Sequence, residues 1–193
     1  RQLFSASEIG LHKSVALIHR LNRFFGTSYK AVTAKIANDS HPENCFGQVV
    51  ISCVDTVAAR FTIERLLEKY KNVGNYLAQP LYWMDFGNGQ STGQVILSTV
   101  GSVRQPRSEK FETVANLPFV TKEFAHNLQN KDEDNIPSCS LAEALRKQDL
   151  FINSSLANLG CSILWNMLHE GMIQYRGLFL DLKTLQSQPI GLM

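Results

Sequence analysis

The chain has 193 residues, of which 44% are hydrophobic and 19% charged, enough to bury one core and ordinary for a globular protein. A net charge of +2 provides no strong field for nucleic acid or an anionic membrane, so neither is expected as a partner. The four cysteines, Cys45, Cys53, Cys139 and Cys161, form no CxxC pair; this argues against a disulfide framework or a CxxC zinc site and for reduced thiols in a cytoplasm.

The chain opens on Arg1 and runs straight into Leu3 and Phe4, which reads as a protein whose N-terminal segment lies upstream. Leu11, Val15, Ile18, Leu21 and Phe25 recur at helical spacing and predict an amphipathic helix stopped by Gly26. A short strand is expected over Ala31–Ile36. Gln48–Cys53 is a continuous β-branched run suited to a strand buried on both faces, and a helix is expected from Val57 to Lys71. This is the strand-loop-helix order of an α/β fold.

Leu81–Phe86 and Gly93–Thr99 read as two strands around a Gly87-Asn88-Gly89 turn, a hairpin at the sheet's edge. Residues 102–136 lack a period and mix both charges, which predicts a solvated crossing segment. A helical region from Leu141 to Glu170, broken near Lys147–Asp149 and ended by Gly171, precedes a last strand over Tyr175–Leu182. The apolar stretch Leu150–Leu168 is interrupted by Asn153, Ser154, Ser155, Asn158 and Asn166, too polar to span a bilayer. No signal peptide, internal repeat or low-complexity tract stands out.

Three constellations could carry chemistry. Asp55 follows a buried strand, where α/β proteins place ligands; its carboxylate could hold Mg²⁺ or cap the next helix, and spacing alone favours the cap. Arg1, Lys13 and Arg60 are cations that could face a triphosphate or be solvated surface charges. Cys139, in Pro137-Ser-Cys-Ser140 ahead of a helix, is placed to be a nucleophile or a structural cysteine. Cys53 and Cys161 lie in apolar runs and read as core, as do Trp83 and Trp165; the histidines show no metal-ligand spacing.

Taken together, these segments resemble a known family. Arg1-Gln-Leu-Phe4 followed by Gly10-Leu-His-Lys13 is similar to the Arg-Gln and Gly-x-x-Lys segments of ThiF/MoeB/ubiquitin-activating enzymes. Cys53-Val-Asp-Thr-Val-Ala-Ala-Arg60 resembles the family's Asp-Asn-x-x-x-Arg segment. Tyr82–Gly87 with Gly93-Gln-Val95 resembles the strand pair after it, and Pro137–Ser140 through Gln148–Asn153 the catalytic-cysteine segment. The likeness is greatest to the ThiF members of the bacterial PRTRC system, a plasmid-associated gene set.

The resemblance implies a Rossmann-like, mostly parallel sheet with helices on both faces, whose first strand and Gly-rich phosphate loop are absent from this chain. It implies one adenylation domain over residues 1–193, with a crossover loop at about 102–138 and a C-terminal helix-strand segment at about 139–193. The reaction implied is ATP-dependent adenylation of the C-terminal carboxylate of a small ubiquitin-like protein. Arg1, Gln2 and Lys13 would contact ATP, Asp55 would handle Mg²⁺ and the nucleotide, and Cys139 would take the acyl group as a thioester. A homodimer in a bacterial cytoplasm, without structural zinc, is expected; the fragment alone would be inactive. Thr56 stands where the family usually has Asn. The alternatives are a non-catalytic ThiF-fold scaffold and, with no dinucleotide fingerprint to support it, an oxidoreductase.

Overall fold

The β-branched run Val49–Ser52 forms strand β1, and the chain returns through helix α2, Val57–Tyr70, to pair strand β2, Tyr82–Asn88, in parallel. The computed structural model describes residues 4–37, 46–71, 79–101, 103–105, 107, 110, 114, 116–124 and 148–192. Strand β3 is Thr92–Thr99, α3 Val120–Glu123, α4 Ile152–His169, β4 Tyr175–Asp181 and β5 Gln186–Gly191; α1, ahead of them all, is Lys13–Phe25. The strands form an open five-stranded mixed sheet in the order β1-β2-β3-β4-β5. The fold is therefore α/β.

The sheet is not mostly parallel as expected. Among the described strands only β1 and β2 run parallel; β2–β3, β3–β4 and β4–β5 are antiparallel. The reason is connection length. Parallel neighbours need a crossover of a dozen residues or more, which α2 supplies, whereas three residues separate β2 from β3. The β2–β3 hairpin is central rather than an edge feature, and Trp83, Met84, Val95, Ile96 and Leu97 in it are fully buried. The run Val95-Ile-Leu97 was the sign of burial on both faces.

Helices cover both faces of the sheet. On one, Val57, Ile63 and Leu67 of α2 and Val120 of α3 pack with Val50, Trp83, Ile96 and Phe119. Trp83 meets Phe119 edge to face, with centroids 5.3 Å apart. On the other, Ile152 and Leu156 of α4 pack with Met84, Val95, Leu97, Leu178 and Leu180. The period-2 alternation of β2 and β3 divides their side chains between these two cores.

Several expectations need correction. Residues 31–36 form no strand; Ser14 Oγ of α1 donates instead to Val32 O, 3.0 Å away. The crossing segment is not wholly solvated, because Leu117, Phe119, Val120 and Thr121 are buried. Tyr175–Asp181 is followed by another strand, β5, whose weakly apolar sequence Gln-Ser-Gln-Pro-Ile-Gly hid it. Trp165 is exposed, as are Cys53 and Cys161. The expected helical residues 141–147 lie outside the described residues.

The α1 helix is present and ends at Gly26, whose φ of 67° a side chain would disfavour. Of its residues only Ala16 is buried, and Leu21, Phe24 and Phe25 face solvent. Arg20 pairs with Glu8 at 2.6 Å, and the guanidinium holds that carboxyl down at about 2. Among the described residues no helix is long and apolar enough to cross a membrane.

Candidate active site at the carboxyl ends of β1 and β2

Ligands of open α/β sheets bind beyond the carboxyl ends of parallel strands, and here those ends belong to β1 and β2. Their last register pair is Ser52 and Asp85, both buried on the α2 face. Ser52 Oγ donates to Asp85 Oδ1 at 2.6 Å and accepts from Trp83 Nε1 at 2.8 Å. Arg60, one turn into α2, donates from Nε to Asp85 Oδ2 at 2.9 Å and from Nη2 to Phe86 O at 3.0 Å. Buried Gln94 flanks the network from β3.

A carboxylate buried this deeply must be paired, and Arg60 supplies the charge. Burial pushes the Asp85 carboxyl up from its ordinary value; Arg60 and the Ser52 hydroxyl pull it part of the way back. The pair fixes α2 to the strand ends and so sets where the intervening loop runs. Arg60 is consequently a buried structural cation, and neither a surface charge nor a free phosphate ligand.

That loop carries Asp55. Thr56, not Asp55, is the N-cap of α2: its Oγ1 accepts from Ala59 N at 3.2 Å. The exposed Asp55 carboxylate is therefore left outside the cap, beyond the end of β1. Lys13 is the first residue of α1 and is exposed. Arg1, Gln2 and Cys139 lie outside the described residues.

Two cavities lie elsewhere. A groove of about 980 Å³ runs over β3–β5 past Ile96, Phe124 and Phe179, and another of about 860 Å³ lies between the end of α4 and Val103, Val114 and Leu117. Neither is lined by Asp55 or Lys13. Among the described residues no cluster of three or more His, Cys, Asp or Glu side chains could hold a metal ion. A single carboxylate of the Asp55 kind suits Mg²⁺ only when phosphate oxygens complete the shell.

The sequence reading missed Ser52 and Asp85. Half of the signal was available: an aspartate inside the apolar strand Tyr82–Phe86 demands a buried partner, but Arg60, Arg65, Lys69 and Lys71 of the same strand-helix-strand unit were all candidates for it. No model of a known protein family matches the chain, and no curated protein does.

Proposed function

We propose that the chain is the strand-and-helix part of a ThiF/MoeB/ubiquitin-activating-type adenylyltransferase, which activates the C-terminal carboxylate of a small ubiquitin-like protein with ATP. The observation that carries this reading is the Asp55 carboxylate, exposed past the end of a parallel strand and left unspent because Thr56 caps α2. The order of the segments around Arg1, Lys13, Asp55 and Cys139 supports it.

On this reading the substrate carboxylate attacks the α-phosphorus of ATP, pyrophosphate leaves, and an acyl-adenylate remains. Arg1 and Lys13 neutralise charge developing on the phosphates, and Gln2 lies beside them. Asp55 would hold Mg²⁺ against the nucleotide, and Cys139 would accept the acyl group as a thioester. A homodimer in a bacterial cytoplasm belongs to the same proposal.

The test is ATP–pyrophosphate exchange by the full-length protein with its cognate small protein. Asp55→Ala should lower exchange by roughly 100-fold or more. Near-normal exchange would remove Asp55 from the mechanism. A second reading, a non-catalytic interaction protein, is favoured by the exposed Leu21, Phe24 and Phe25 of α1, an apolar face suited to a protein partner. It is distinguished by partner binding that needs no nucleotide and survives Asp55→Ala.

A further inference from the structure

We propose that the junction of α3 with β3 and β4 binds one internal water molecule, held by Arg176 Nε, Ser98 Oγ and Thr121 Oγ1. These three atoms are buried and have no hydrogen-bond partner among the described residues. Arg176, Ser98 and Thr121 are 0%, 1% and 2% exposed, so bulk solvent does not reach them. A buried donor or hydroxyl left unpaired costs stability, and folded proteins pair nearly all of them. Three such atoms at one junction point to a shared partner.

The contacts of the Arg176 guanidinium bring them together. Nη1 donates to Leu97 O at 3.4 Å, the carbonyl joined to Ser98, and to Pro118 O at 3.2 Å, just ahead of α3. Nη2 donates to the Glu123 carboxylate at the end of α3. The guanidinium thus spans the single turn that carries Thr121. That turn is fixed over β3 because Leu117 N donates to Thr99 Oγ1 at 2.9 Å and Thr99 N donates to Leu117 O at 3.1 Å. Ser98 projects to the same face as Ile96, which shares a core with Val120 of α3, and β3 pairs Ile96 with Gly177, the neighbour of Arg176.

Charge decides what the ligand is. Glu123 already balances Arg176, so an added anion or cation would stand unpaired in a buried site. A neutral molecule that both donates and accepts fits the three atoms. Water accepts from the Nε–H and from one hydroxyl and donates to the other, which makes the three bonds usual for an internal water. It ties β3, β4 and α3 at the point where the register of β4 shifts between Tyr175 and Gly177.

The experiment removes the hydroxyls one at a time and reads the melting temperature. Ser98→Ala and Thr121→Val each take one partner from the water, and each should lower the melting temperature by about 2–4 °C. A buried hydroxyl that bonds nothing is itself a cost, so its removal would leave the melting temperature unchanged or raise it. That result in either variant would overturn the proposal. The second measurement is a high-resolution crystal structure of the unsubstituted chain, in which one ordered oxygen should lie within about 3 Å of all three atoms. A dry junction, an ion there, or hydroxyls turned to protein carbonyls would each overturn the proposal as well. No nucleotide or partner enters either measurement, so the outcome is independent of the adenylation reading.

Discussion

The two faces of the sheet are held in different ways. The α2 face mixes its apolar core with a buried polar set in which Ser52, Trp83, Asp85 and Arg60 hydrogen-bond one another. The α4 face has an apolar core, closed by the approach of Gly160 to Phe86. An apolar interface tolerates small shifts at modest cost, whereas a buried ion pair has one satisfied geometry. The rigid, directional contacts thus lie on the side where β1, β2 and the Asp55 loop meet, and the adjustable ones lie behind.

The widest gap between the faces should appear when the ion pair is broken. Asp85→Ala leaves Arg60 charged and buried and should cost about 3–5 kcal/mol in urea unfolding. A cost under about 1 kcal/mol would show that Arg60 finds water, and the contrast between the faces would fail. Gly160→Val pushes a side chain into the Phe86 ring and should cost about 1–3 kcal/mol, because α4 can slide outward. A cost as large as that of Asp85→Ala would mean that the α4 face is equally unforgiving.

The smallest effect concerns pH. The Asp85 carboxyl titrates above its ordinary 3.8 in the folded chain, so its contribution is fullest below that value and is lost as pH rises through the folded value. Asp85→Asn removes this titration. The variant should therefore gain on the wild type as pH rises from about 4 through the folded value, read as the difference in urea midpoints. An unchanged difference would show that Arg60 cancels the burial of the carboxylate completely.

Much of the scaffold could be read from local pattern. The β-branched run before Asp55, the helix after it and the period of α1 gave β1, α2 and α1 to within a few residues. Sheet direction was not legible from strand composition, since Val95-Ile-Leu97 suits either a parallel or a doubly covered antiparallel strand. Partnership was harder still. Arg60 looked like a solvent cation because the sequence does not say that α2 folds back over Asp85. The pairing of Arg176 was equally hidden: buried at a register shift between Tyr175 and Gly177, it reaches Glu123 on α3 and the Pro118 carbonyl. At the candidate site, Asp55 could be placed from sequence, but the competition between Thr56 and Asp55 for the cap was decided only by geometry.

The two outer strands of the sheet differ in what they can accept. Pro189 lies within β5 and has no N–H to give, so the ladder is blunted on that side. The four residues of β1 contain no proline or charge and carry a half-exposed isoleucine. Among the described residues, growth of the sheet by a further strand is therefore opposed at the β5 margin and unopposed at the margin that borders Asp55.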